Sequence, residues 1–190
     1  MVKNWPTLVS NNGSQEKVPS KATYKGGKLE AWGYMVPAEK PCVEWIKLLL
    51  EPDYRWKLLP TQKSAKLLQQ IGKTPEEAVA DYLGELYKHA KKEIGANLGG
   101  DPEKTHSIRV VITCPAIWSH AAKSKTLKAA YSAGMPRGRT MLVTEPEAAG
   151  LAVLKERGEN YLLKVSTCDL NIKYKQLTSD LLGERRDHHM

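Results

Sequence analysis

The sequence contains few cysteines, and none of them are close together. Cys42, Cys114 and Cys168 are the only three, and no two of them form a Cys-x-x-Cys motif. Zinc sites and disulfide frameworks both depend on cysteines at characteristic spacings. The lack of such spacings argues against both kinds of scaffold and predicts a reducing compartment, the cytoplasm. The 5 histidines also show no metal-ligand spacing, so we predict no metal site.

Long apolar runs are also missing. No run approaches the ~20 apolar residues that are needed to cross a bilayer. The first six residues, Met-Val-Lys-Asn-Trp-Pro, lack the apolar core of a signal peptide. We therefore expect no membrane partner and no secretory leader.

A dense basic tract is absent as well, although the chain carries a net charge of +8 from 29 Lys and Arg against 21 Asp and Glu. The basic residues are scattered along the chain, and acidic residues interleave with them. A nucleic-acid footprint requires basic side chains that cluster on one face. The charge therefore favours a solvated basic surface over a nucleic-acid partner.

The most informative stretch is residues 108–154, where short apolar runs alternate with helical patterns. The apolar runs are Val110–Ile112 and Met141–Val143. This βαβα order predicts an α/β fold whose parallel sheet is covered on both faces. Ligands bind such sheets at the carboxyl ends of the strands. Pro115 and Glu145 follow the two strands, so we expect the functional site there.

A capping motif predicts the longest helix of the chain. Thr74 is a good N-cap, Pro75 suits the first helical position, and Glu77 completes a capping box. Apolar residues at helical spacing continue to residue 94, and Gly95 is a suitable terminator.

Further elements follow from similar patterns. Ser119 is expected to cap a helix over 120–133, and Pro146 to begin another helix, with Glu145 at its entrance. Residues 161–165 form a third apolar run.

Before residue 74 the patterns are weaker. Residues 17–24 and 29–36 are expected to pair as a hairpin around Gly26-Gly27. Residues 43–50 indicate a short helix that Pro52 stops.

Several of these segments resemble a known family. Residues 111–118 (VITCPAIW), the alanine-rich helix after them, and 144–149 (TEPEAA) resemble the nucleotide-binding domain of heat-shock protein 70 chaperones. Their divergent, actin-like ATPase relatives are the closer match, because a Pro-Ala-Ile-Trp-Ser segment is usual there. The resemblance covers most of residues 17–165 and is specific at 110–150.

The resemblance implies a ribonuclease-H-like, actin-type ATPase fold in which two lobes close on ATP and Mg²⁺. Residues 1–73 would then form the outer part of the first lobe, and residues 74–165 its inner βαβα part. Residues 166–190 would be a degenerate start of the second lobe with a frayed tail.

The resemblance also assigns site residues. Glu145 falls on the acidic residue that helps to orient the attacking water, Pro115 on the proline that relays the nucleotide state, and Lys123 on its basic partner. Lys47 stands near the family's catalytic lysine, and Thr167 lies in what looks like the end of a phosphate-binding motif. Without the resemblance, Glu145 is explained as a carboxylate that the helix dipole favours.

The sequence departs from the family at its two glycine-rich phosphate-binding motifs. Asp-x-Gly-Thr-Thr is absent, and so is Asp-x-Gly-Gly-Gly-Thr, because Val165 runs directly into Ser-Thr-Cys-Asp-Leu at 166–170. Glycine allows backbone N–H groups to close around a phosphate. We therefore expect an incomplete, truncated nucleotide-binding domain that binds ATP weakly and hydrolyses it negligibly.

Two other readings remain open. The first is a non-catalytic protein-interaction module that uses an exposed lobe face to bind protein clients or co-chaperones, or to form oligomers. The second is a basic nucleic-acid-binding domain.

Overall fold

The computed structural model describes residues 2–8, 15, 17–51 and 59–157. These residues form two compact units, one of residues 2–110 and 117–141 and one of residues 111–116 and 142–157. The strands are β1 Lys21–Lys25, β2 Lys28–Trp32, β3 Val43–Glu44, β4 Val110–Cys114 and β5 Thr140–Thr144. The helices are α1 Leu59–Gln70, α2 Pro75–Leu98, α3 Pro102–Thr105, α4 His120–Ser132 and α5 Glu145–Arg157. The predicted strand at 161–165 and the region 166–190 lie outside the described residues.

The predicted hairpin is confirmed. β1 and β2 pair antiparallel around Gly26 and Gly27, which both have positive φ angles. β3 pairs with the other edge of β1, so the strand order is β2-β1-β3.

The helix predicted over 43–50 is wrong in its first half. Val43 is fully buried as part of β3, and only Ile46–Leu50 is helical, as a short 3-10 helix. Trp45, between the strand and the 3-10 helix, has a φ of 58°. This left-handed conformation is incompatible with a continuous right-handed α-helix. Pairing of β3 with β1 therefore overrides the helical apolar spacing.

The N-terminus of α2 is confirmed, but its predicted end is wrong. Thr74 and Glu77 form both hydrogen bonds of the capping box. The helix continues through Gly95 and ends at Leu98. Gly99 is its C-cap, with a φ of 73°, and donates its N–H to the Gly95 carbonyl. A Cβ at Gly95 would lie 2.7 Å from the Gly100 oxygen. Gly95 therefore allows the backbone at Gly100 to approach the helix, and it does not terminate the helix.

Small residues bring α4 against α2. Ser119 caps α4 as predicted, because its hydroxyl oxygen accepts a hydrogen bond from the N–H of Ala122. Ala129 and Ala130 are buried, and Gly84 of α2 faces Ala133 at the end of α4. The buried alanines and Gly84 therefore allow the two helices to pack closely.

β4 and β5 are neighbouring strands of a small parallel sheet. Burial alternates along β4, so Cys114 is buried while Val111 is 41% exposed. The expectation of a sheet covered on both faces is therefore wrong for β4 among the described residues.

No helix in the described ranges has both the length and the apolar character that crossing a membrane requires.

Candidate functional site

Pro115 and Glu145 occupy corresponding positions at one edge of the parallel sheet. Pro115 directly follows the last residue of β4, and Glu145 directly follows the last residue of β5. Because the strands are parallel neighbours, their carboxyl ends lie at the same edge. Pro115 is partly exposed and Glu145 is exposed, so this edge is accessible.

Glu145 stands in the first turn of α5 rather than before it. The helix begins at Glu145, so Pro146 takes the second helical position and the sequence prediction is wrong by one residue. Thr144 and Glu147 form a reciprocal pair: the Thr144 N–H donates to Glu147 Oε2 (2.9 Å), and the Glu147 N–H donates to Thr144 Oγ1 (3.4 Å). This pair shifts the helix start to Glu145.

The carboxylates of Glu145 and Glu147 have different surroundings. The Glu147 carboxylate accepts a hydrogen bond from the Thr144 hydroxyl at the helix start, and the Glu145 side chain lies on the surface. A carboxylate in the first turn of a helix lies next to the positive end of the helix dipole. Such a group can accept a hydrogen bond from a water molecule and orient it.

The other predicted site residues lie on other elements of the chain. Lys123 is half-buried in the first turn of α4, and its backbone N–H donates to the Ser119 carbonyl. Lys47 is exposed on the 3-10 helix, with its Nζ 5.8 Å from the centre of the Trp118 ring. Both lysines belong to the unit that excludes Pro115 and Glu145, and Thr167 lies outside the described residues.

A buried carboxylate, Glu51, was missed by the sequence patterns. Its side chain is 5% exposed, and it accepts hydrogen bonds from the Ser119 N–H (2.7 Å) and the Ser119 hydroxyl (3.0 Å). Glu51 thus binds the start of α4, which follows the loop after β4. The sequence contains one signal for this contact: a charged residue directly follows the apolar run that ends at Leu50. A charge buried beside such a run requires a partner.

The described residues offer no cluster of metal-ligating side chains for a magnesium ion. No group of three or more His, Cys, Asp or Glu side chains within them is arranged to hold a metal ion. The aspartates that hold hydrated magnesium in the resembled family belong to two motifs that this sequence lacks. Within the described ranges no donor set therefore fits a resident metal ion, and we assign no ligand to one.

Comparisons with known proteins identify relatives over part of the chain, whereas no protein-family model matches it. A stretch of 116 residues is 32% identical to the chaperone protein HscA homolog of Actinobacillus pleuropneumoniae serotype 5b (strain L20), covering 60% of this chain and 17% of that protein. The chaperone protein DnaK of Buchnera aphidicola subsp. Schizaphis graminum (strain Sg) is 31% identical over 145 residues, 70% of this chain and 19% of the relative. The heat shock 70 kDa protein 12A of Mus musculus is 40% identical over 85 residues, which are 43% of this chain and 12% of that protein.

These similarities confirm the resemblance to the nucleotide-binding domain of heat-shock protein 70 chaperones. The chain spans less than a fifth of each of these three relatives. The observed mixed α/β structure with its small parallel sheet agrees with the actin-like ATPase fold that these relatives imply.

Proposed function

We propose that this chain forms part of the nucleotide-binding domain of a heat-shock-70-like chaperone and acts in the cytoplasm. The observation that carries the proposal is the placement of Pro115 and Glu145 directly after β4 and β5, at one edge of a parallel sheet. In α/β folds this edge is where ligands bind. Residues 1–73 and 74–165 would be the outer and inner parts of one lobe.

Glu145 is the residue that we assign to the reaction. Phosphoryl transfer requires positioned groups and charge stabilisation rather than covalent chemistry from the protein. An exposed carboxylate at the sheet edge suits the role of orienting a water molecule toward a phosphate. Pro115 and Lys123 would relay the state of the nucleotide, and Lys47 and Thr167 would contact it.

We also propose that the 190 residues alone bind ATP weakly and hydrolyse it negligibly. Both glycine-rich motifs are missing from the sequence, and each charge-assisted hydrogen bond that they supply is worth about 1.5–3 kcal/mol. Losing three such contacts weakens binding by about a thousandfold or more. We therefore expect a dissociation constant above about 1 mM for Mg-ATP.

Isothermal titration calorimetry with Mg-ATP tests this affinity directly. We expect no saturable heat below about 100 μM nucleotide, since that concentration lies far below the expected dissociation constant. The matched control is the same titration with Mg²⁺ alone, which separates metal binding from nucleotide binding. A dissociation constant near 1 μM, or clear release of phosphate by the purified chain, contradicts the proposal.

A non-catalytic protein-interaction module is the second candidate. Its support is a set of large apolar side chains that are exposed within the described residues: Leu8, Trp45, Val111, Ile117 and Val153. Such exposed apolar side chains are where protein clients, co-chaperones or a second copy would make contact. Static light scattering tests self-association, and a monomer at all concentrations counts against that form of the module.

A further inference from the structure

One long stretch of the sequence, residues 104–144, contains no aspartate or glutamate, although the whole chain has 21 of them. Basic and acidic residues therefore alternate elsewhere but not here. The stretch contains seven lysines and arginines: Lys104, Arg109, Lys123, Lys125, Lys128, Arg137 and Arg139. A surface built from such a stretch carries a positive potential that no nearby carboxylate in the sequence offsets.

Four of these cations lie close together in the structure. Arg109 directly precedes β4 and Arg139 directly precedes β5, and the strands are parallel neighbours about 4.8 Å apart. The Nη1 of Arg139 donates a hydrogen bond to the Ser107 hydroxyl oxygen (2.9 Å), which joins the two segments before the strands. Lys104 and Arg137 lie within three residues of this contact, so their Cα atoms are within about 11 Å of it. We call Lys104, Arg109, Arg137 and Arg139 the basic edge.

The charges of the basic edge are exposed and are not neutralised. All four side chains are exposed, and no ion pair within the described ranges includes any of them. Arg139 donates to a neutral hydroxyl group, and the Arg137 guanidinium lies 5.0 Å from the centre of the Tyr131 ring. Neither contact cancels the positive charge of the arginine, so all four charges are available to an anion.

Two carboxylates border the basic edge in sequence, and both already have hydrogen-bond partners. Glu103 accepts from the Lys91 Nζ (3.0 Å) and from the Tyr87 hydroxyl (2.9 Å), so Lys91 compensates its charge. Asp101 accepts the Glu103 N–H (3.0 Å) at the start of α3. One negative charge without a cation partner therefore stands against four exposed positive charges.

The side chains around the basic edge favour a nucleic-acid backbone over an acidic protein surface. None of the large apolar side chains that are exposed in the described residues belongs to residues 104–109 or 136–139. Protein interfaces depend on aromatic and apolar anchors, which these segments do not offer. Phosphates are held mainly by Arg, Lys, Ser and Thr side chains. The exposed Ser107 hydroxyl accepts from Arg139 and keeps its own proton to donate.

We propose that the basic edge binds the phosphate backbone of a nucleic acid without regard to base sequence. The three arginines bind phosphate oxygens through their forked N–H donors, and Lys104 adds a single positive charge. Four phosphate contacts predict that the logarithm of the association constant falls with the logarithm of the salt concentration with a slope of about −3.6. This function goes beyond the nucleotide-binding role and does not depend on it.

Fluorescence anisotropy with a labelled, mixed-sequence DNA duplex of about 15 base pairs tests the proposal. We expect a dissociation constant of about 10–100 μM at about 50 mM salt, equal for a second duplex of unrelated sequence. Arg109→Ala and Lys104→Ala should each weaken binding about tenfold and make the salt slope shallower by about 0.9. These two residues are chosen because their side chains form no ion pair or hydrogen bond within the described ranges, so their loss should leave the fold intact.

Lys66→Ala is the matched control, because it removes one exposed positive charge from α1 and leaves the basic edge intact. Its effect should be below about twofold. Arg109→Lys keeps the charge and should keep the salt slope of the unchanged chain. Thermal melting shows that each variant is folded. The titration contains no ATP, so its outcome is independent of the proposed ATP site.

Four results would overturn the proposal. The first is equal weakening by Lys66→Ala and Arg109→Ala, and the second is a salt slope that Arg109→Ala leaves unchanged. The third is the absence of saturation at about 1 mM duplex. The fourth is tighter binding of a polyglutamate peptide than of the duplex, with the same dependence on Arg109 and Lys104, which would assign the basic edge to an acidic protein segment.

Discussion

The carboxylate of Glu51 accepts a hydrogen bond from the backbone N–H of Ser119, with 2.7 Å between Oε2 and N, although 68 residues separate the two in sequence. Ser119 in turn caps α4, since its hydroxyl oxygen accepts from the Ala122 N–H. The buried charge therefore sits at the positive end of a helix, where the dipole stabilises it. This contact joins the end of the 3-10 helix to the start of α4.

Removing the Glu51 carboxylate should destabilise the protein strongly. Glu51→Ala deletes the acceptor of two charge-assisted hydrogen bonds and leaves the Ser119 donors without their buried partner. We expect a loss of about 3 kcal/mol in the free energy of unfolding, measured by urea titration. Glu39→Ala, at an exposed position, is the control and should cost less than about 0.5 kcal/mol. Equal losses in the two variants would show that Glu51 has no structural role.

The capping box of α2 gives a second prediction. Thr74→Ala removes the hydroxyl that accepts the Glu77 N–H and should lower the free energy of unfolding by about 1 kcal/mol. Thr74→Ser keeps the hydroxyl and should recover most of that loss. If serine and alanine destabilise equally, the methyl group rather than the cap accounts for the effect.

Glu77 also makes stability depend on pH. The hydrogen bond from the Thr74 backbone N–H, followed by that from its hydroxyl, lowers the pKa of Glu77 below its usual value. A carboxyl whose folded-state pKa is depressed contributes stability above its unfolded pKa, and that contribution is lost as the pH falls through the folded pKa. Stability should therefore decrease below about pH 4.3. Glu77→Gln should make this decrease shallower when urea unfolding is compared at several acidic pH values, and an unchanged decrease would contradict the assignment.

Substitutions at Gly84 test how closely α2 and α4 pack. A Cβ at this position would lie 3.7 Å from the Ala133 oxygen, which is an ordinary contact. Gly84→Ala should therefore raise the free energy of unfolding by about 0.5–1 kcal/mol, because alanine is the better helix former. Gly84→Leu should lower it by about 1–3 kcal/mol through overpacking. Equal tolerance of both substitutions would mean that the two helices are not in close contact there.

Local motifs explain which parts of the fold were predictable. The Thr74 capping box, the Ser119 cap and the hairpin at Gly26-Gly27 depend on neighbouring residues, and the structure contains all three. The pairing of Val43 with β1 and the Glu51–Ser119 contact depend on distant residues, so local patterns could not reveal them.

The candidate site was predictable to a similar extent. The alternation of strands and helices was sufficient to predict Pro115 and Glu145 at strand ends, because parallel topology follows from that order. The helix start at Glu145 follows from the T-x-x-E capping box of Thr144 and Glu147, whereas Pro146 as a first-turn residue points to a start one residue later. The roles of Lys47, Lys123 and Thr167 depend on spatial relations that the sequence does not define, and they stay predictions.

An NMR titration of the ¹⁵N-labelled chain with Mg-ATP tests most directly whether the sheet edge is a nucleotide site. We predict progressive shifts of the Cys114, Ala116 and Glu145 amide signals that approach saturation only above about 1 mM nucleotide, with no such shifts in Mg²⁺ alone. Glu145→Gln should keep the shifts at Cys114 and Ala116, because a water-orienting carboxylate contributes little to ground-state affinity. If these three amide signals do not shift at about 10 mM nucleotide, or if their shifts saturate at micromolar nucleotide, the assignment of a weak nucleotide site to this sheet edge is wrong.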